Sequence, residues 1–125
     1  MARILVIDDE PHIRTLVEAF LSQDGHEVDL AVNGKEGLTL IERNHYDLLL
    51  TDVVMPEKDG LELIMDLKGR VPRIRVIVMS GGGTRLNIQN YLEMARLLGA
   101  DRVLPKPLDF LKLQNAVKEV LEEQP

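Results

Sequence analysis

Three runs in the chain are almost continuously apolar and each stops at a polar residue. Arg3-Ile4-Leu5-Val6-Ile7 stops at Asp8-Asp9, the run from Tyr46 through Leu48-Leu49-Leu50-Thr51 stops at Asp52, and Arg75-Val76-Ile77-Val78-Met79 stops at Ser80. Unbroken β-branched and aliphatic stretches of this length predict strands covered on both faces. Two other stretches predict edge strands. His26 to Val32 alternates polar with apolar, and Asp101-Arg102-Val103-Leu104 is short and closed by Pro105-Lys106-Pro107. Prolines at a strand end belong at the edge of a sheet, where an amide can be lost without breaking a ladder.

Between the strands the apolar period lengthens to that of a helix. Ile13, Leu16, Val17, Phe20 and Leu21 predict one inward face, opened by Asp9 as cap with Pro11 in the first turn and ended at Gly25. Asn33 with Glu36 predicts a capping box for a second helix carrying Gly37, Leu38 and Ile41 inward. Asp59 with Glu62 opens a third, with Leu61, Ile64 and Met65 inward and Gly69 after it. Ile88, Tyr91, Leu92, Ala95 and Leu98 predict a fourth helix stopped at Gly99, and Asp109 caps a last one carrying Leu113, Val117, Val120 and Leu121.

Strict alternation of strand and helix predicts an α/β fold: a parallel sheet with right-handed crossovers and helices on both faces. With strands one, three and four buried and two and five at the edges, the pattern fits the known five-stranded flavodoxin-like order, 2-1-3-4-5. Its ligand crevice lies between strands one and three, where the chain reverses its direction of winding.

Composition narrows the function classes. At 125 residues the chain is expected to form one domain over 1–125. It has no cysteine, which excludes disulfides, thiolate metal sites and cysteine catalysis. The net charge of −6 argues against nucleic-acid binding. With no apolar run near the ~20 residues of a membrane helix and no signal-peptide pattern, no membrane association is expected and the cytoplasm is the expected location.

The polar strand ends carry the chemistry. Asp8, Asp9 and Asp52 fall at the carboxyl ends of the two strands that flank the crevice. Carboxylates gathered this closely repel one another unless a cation joins them. An all-oxygen set suits Mg²⁺. Ser80 adds a hydroxyl and Lys106 a fixed positive charge on the same rim. Taken singly, each has a plain structural reading: Asp8-Asp9 and Asp52 as helix or turn caps, Ser80-Gly81 as a turn, Lys106 as a surface lysine lying along apolar surface. The methionines read as core filler, and His12, His26 and His45 are scattered without a role. The structural readings give way because the polar positions land on one rim together. Such a set suits phosphoryl transfer, in which a carboxylate is a competent acceptor and most of the work is positioning and charge neutralisation.

At these residues the sequence resembles the response-regulator receiver domain of two-component signalling, over the whole chain. The resemblance rests on Asp8-Asp9, on Asp52-Val53-Val54-Met55-Pro56 with Asp59-Gly60, on Ser80-Gly81 and on Lys106-Pro107, all in order and at strand ends. It implies that Asp52 accepts a phosphoryl group from a histidine kinase or phosphotransfer protein. It implies that Asp9 binds Mg²⁺ directly and Asp8 mostly through water, that Asp52 and the Val54 carbonyl complete the protein ligands, that Ser80 and Lys106 contact the phosphoryl group, and that Lys106-Pro107 is a cis peptide. On this reading the domain catalyses its own phosphorylation and dephosphorylation, turns over no external substrate, and changes its surface toward an output protein or domain. Two features depart from the family pattern. Val103 stands where an aromatic is usual, and Ser80 to Gly99 is longer than usual by about one helical turn.

Two other classes share the fold. A flavodoxin-like cofactor binder needs a hydroxyl- and glycine-rich phosphate loop after the first strand, where Asp8-Asp9-Glu10 would repel a phosphate. A Mg²⁺-dependent phosphatase of small molecules needs an insertion long enough to cap its substrate, and the chain has none.

Overall fold

The computed structural model describes residues 1–52, 60–67, 74–80 and 99–123. The strands are β1 (Arg3–Ile7), β2 (Glu27–Ala31), β3 (Leu48–Asp52), β4 (Arg75–Ser80) and β5 (Arg102–Pro105). The helices are α1 (Pro11–Gln23), α2 (Gly34–Arg43), α3 (Gly60–Leu67) and a last helix, Phe110–Glu122. The expected fourth helix, the Asp59 cap and the stop at Gly69 lie outside the described residues.

All strand pairs are parallel and the order is β2-β1-β3-β4-β5, as expected. Successive strand residues point to opposite faces, and both faces are covered. Ile4, Val6, Leu48, Leu50, Ile77 and Met79 pack with Val17 and Leu21 of α1 and with Leu113, Val117 and Val120 of the last helix. Leu5, Ile7, Leu49, Val76 and Val78 pack with Ile41 of α2 and with Leu63 and Ile64 of α3. The two layers bury the sheet on both faces and leave its carboxyl edge as the rim that carries the polar strand ends.

Local signals account for most of the boundaries. The Asn33 side chain accepts from Glu36 N at 2.8 Å, and Asp109 Oδ1 accepts from Leu111 N and Lys112 N at 3.0 and 3.2 Å. Gly25 and Gly99 follow α1 and precede β5 with φ of 89° and 83°, a region costly for side-chain-bearing residues. Three expectations need correction. The cap of α1 is Glu10 rather than Asp9, because the helix starts at Pro11 and Arg14 N donates its first-turn bond to the Glu10 carbonyl at 3.2 Å. Leu16 is 51% exposed: it sits one position before Val17, about 100° round the axis from the residues that meet the sheet. Met65 is 61% exposed, since Leu63 and Ile64 take the inward face of α3, so it is not core filler; of the other methionines, Met79 is buried and Met1 exposed.

Candidate functional site

Strand register places the acids. Ile7 pairs with Thr51, so the next residues, Asp8 and Asp52, leave adjacent strands side by side at the switch point. Asp52 in turn pairs with Met79, and Ser80 pairs with Pro105, which sets Lys106 just beyond β5 on the same rim. Asp8 is fully buried and Asp52 nearly so. Buried carboxylates need compensation, and Lys106 supplies it: Nζ donates to Asp8 Oδ2 at 2.7 Å and to Asp52 Oδ2 at 2.9 Å. The Lys106–Pro107 peptide is cis, as the resemblance implies.

The rest of Asp8 is also held. Its Oδ1 accepts from Glu10 N at 2.9 Å, its amide donates to the Ala31 carbonyl at 3.2 Å, and its carbonyl accepts from Arg14 Nη1 at 2.7 Å. Asp9 is exposed on the open side. Burial alone would lower the pKa of Lys106, but the hydrogen bonds to Asp8 and Asp52 and their charges outweigh it, and the net shift is upward from 10.5. The ammonium therefore stays charged at any physiological pH.

A divalent cation fits this rim. Asp8, Asp9 and Glu10 bring one carboxylate oxygen each within 4.8 Å of one another, and Asp52 stands on the far side of Lys106. Three carboxylates, Asp8, Glu10 and Asp52, lie within 3.7 Å of one ammonium and Asp9 adds a fourth beside Asp8, which leaves an excess of negative charge even with Arg14 behind the Asp8 carbonyl. The donors are hard oxygens, the class that Mg²⁺ takes. Of the predicted site residues, Asp8, Asp52 and Lys106 form one bonded cluster with Asp9 at its mouth. The backbone of Ser80 lies at the end of β4; its side chain and all of Val54 lie outside the described residues. Sequence reasoning passed over Glu10, whose Oε1 is 3.7 Å from Lys106 Nζ. The signal available was a third consecutive acid after β1.

Residues 4–118 match the family described as Response regulator receiver domain. The chain belongs to the response regulator receiver domain family. This receiver domain is 34% identical over 119 residues to sporulation initiation phosphotransferase F of Bacillus subtilis, covering 95% of this chain and 93% of that protein. It is 38% identical over 120 residues to the DNA-binding transcriptional regulator NtrC of Azospirillum brasilense, covering 96% of this chain but 24% of that protein. The chain thus spans about a quarter of the length of NtrC. In structure it is similar to the receiver domain of the Francisella response regulator 1452, with a TM-score of 0.86, 29% identity and 98% of each chain covered. Receiver domains of two-component response regulators are phosphorylated on an aspartate by histidine kinases, and act as phosphorylation-controlled switches toward output domains. Among the described residues of this one, no helix is long and apolar enough to cross a membrane. Val103 of β5, at the usual aromatic position, is partly buried against the α2–α3 layer.

Proposed function

We propose that Asp52 is the phosphoryl acceptor of this receiver domain and that residues 1–125 act as one switch domain. The observation that carries this reading is the position of Lys106 Nζ, which joins Asp52 to Asp8 across the β1–β3 crevice. An Asp52 carboxylate oxygen attacks phosphorus. The new O–P bond forms as the P–N bond to a donor histidine breaks, and the bonding pair leaves with the imidazole. Lys106 holds Asp52 in line and offers its ammonium to the phosphoryl oxygens that gain charge. Ser80, at the end of the neighbouring strand, supplies a hydroxyl donor to the same group. Asp8, Asp9, Asp52 and the Val54 carbonyl would hold Mg²⁺, which when bound offsets the charge of both carboxylate and phosphoryl group.

The domain modifies itself and later loses the phosphoryl group to water, with no external substrate turned over. Its partners are a sensor histidine kinase or phosphotransfer protein on one side and an output protein or domain on the other. The acidic chain is not itself a nucleic-acid binder on this reading, and its setting is the cytoplasm. The test is intact-mass measurement with Mg²⁺ and a small acyl phosphate. The parent should gain one phosphoryl group and Asp52→Asn none. Continued labelling of Asp52→Asn would sink the assignment.

A further inference from the structure

Glu10 is the N-cap residue of α1, yet its side chain makes no capping hydrogen bond. Its carboxylate lies instead between the Lys106 ammonium and the His12 ring, with Oε1 3.7 Å from Lys106 Nζ and Oε2 3.4 Å from His12 Nε2. The backbone fixes this placement. Glu10 N donates to Asp8 Oδ1 at 2.9 Å, and the Glu10 carbonyl accepts from Arg14 N at 3.2 Å. An ammonium has three donors. Two of those on Lys106 meet Asp8 and Asp52, and the 3.7 Å separation from Glu10 is too long for a hydrogen bond but close for an ion pair. The Lys106 side chain is 10% exposed; of its three acidic partners Asp8 and Asp52 are sealed and Glu10, at 47%, is the exposed one.

Phosphorylation of Asp52 would replace one carboxylate partner of Lys106 by a group carrying about −2 charge and three acceptor oxygens. Before that event Glu10 stabilises the lysine. Afterwards its charge repels the phosphoryl group and still draws on the same ammonium. Both effects oppose the phosphorylated state. We propose that Glu10 is a positioning residue which pairs with Lys106 as its exposed acidic partner and competes with the phosphoryl group on Asp52 for that ammonium, so that it sets how readily the site takes up a phosphoryl group. The inference rests on Asp52 being the acceptor. The rival role for Glu10, service to the cation together with Asp8 and Asp9, has the opposite sign: its loss would weaken Mg²⁺ binding and with it phosphoryl uptake.

The experiment titrates the full chain with beryllofluoride, a phosphoryl mimic that adds to a carboxylate oxygen, at saturating Mg²⁺. Amide NMR shifts give the half-saturating concentration, and a separate Mg²⁺ titration without the mimic gives the cation affinity. Glu10→Gln should lower the half-saturating concentration about two- to fivefold, the scale of a partly exposed ion pair. Its Mg²⁺ affinity should fall by far less than that of Asp9→Asn. Glu10→Asp, which keeps the charge, should move the midpoint less, and in a Lys106→Gln background the effect of Glu10→Gln should shrink to what direct repulsion leaves. An unchanged or raised midpoint in Glu10→Gln, or a matching loss of Mg²⁺ affinity, overturns the proposal. If Asp52→Asn still takes up the mimic, the acceptor assignment itself has failed. If Asp52→Asn is silent and Glu10→Gln behaves as the parent, only the role of Glu10 has.

Discussion

Lys106 Nζ stands 2.9 Å from Asp52 Oδ2, a residue 54 positions earlier in the chain. The contact closes the rim between β3 and β5 although β4 lies between them in the sheet. Both side chains are nearly sealed from solvent, so the pair bears on stability.

Removing the lysine should therefore destabilise the fold. Lys106→Met leaves the Asp8 side chain, 0% exposed, and that of Asp52, 9% exposed, without this cation. Urea unfolding at neutral pH without Mg²⁺ should show a loss of about 3 kcal/mol, with part of it recovered on adding Mg²⁺. The pKa of Lys106 is raised in the folded state, so its contribution is complete below the ordinary lysine value of 10.5 and is lost as pH climbs through the raised value. The stability gap between parent and variant should hold through neutral pH and narrow only in strong alkali. A gap that closes near neutrality would contradict this assignment.

Mg²⁺ affinity should fall more in Asp9→Asn than in Asp8→Asn. Both Asp8 oxygens already accept bonds, from Glu10 N and Lys106 Nζ, whereas Asp9 is exposed at the mouth of the site. A residue acting through the outer shell costs about tenfold when lost, and a direct ligand costs more. Titration of the two variants by amide shifts decides the order, and the reverse order would exchange the two roles.

His26 should make the fold sensitive to mild acid. Ala2 N donates to His26 Nδ1 at 3.1 Å, which requires an unprotonated Nδ1. Burial first, then the positive amino terminus, lower the His26 pKa below 6.5 against the opposing charge of Asp24. A depressed pKa gives stability that is present above the unfolded value and lost as pH falls through the folded one. Unfolding free energy should decline below pH 6.5, and His26→Gln, which retains an acceptor but does not titrate, should flatten that decline. Equal slopes for the two proteins would rule His26 out as the cause.

Tyr46→Phe should weaken the fold without touching phosphoryl uptake. The Tyr46 hydroxyl donates to Asp29 Oδ2 at 2.6 Å, and Arg3 Nη2 reaches the same oxygen at 3.1 Å. Loss of a hydrogen bond to a charged acceptor costs about 2 kcal/mol. Tyr46 precedes β3 whereas Asp52 ends it, so labelling by an acyl phosphate should match the parent while the urea midpoint drops. A labelling defect would show that the two ends of β3 are coupled.

By itself the sequence determined whatever has a local cause. Continuous apolar runs with both faces to bury made β1, β3 and β4 central, and the alternating and proline-bounded stretches made β2 and β5 edges, which fitted the known flavodoxin-like order without fixing the order of the central three. Asn33 and Asp109 act within three residues of themselves and were legible for the same reason. Placing Asp8, Asp9, Asp52, Ser80 and Lys106 on one rim needed only that order, because parallel strands share a carboxyl edge. Tertiary structure alone decided which atoms meet there: that Lys106 joins Asp8 to Asp52, that Asp8 is sealed while Asp9 stays open, and that Glu10 turns from its helix toward the lysine. It also decided that Leu16 and Met65 face outward, since periodicity locates an apolar face only to within a residue and the neighbouring layer selects which part of it is covered. The bonds joining Arg3 of β1, Asp29 of β2 and Tyr46 just before β3 cross between distant parts of the chain, and no local pattern encodes a contact whose partners are brought together only when the sheet forms.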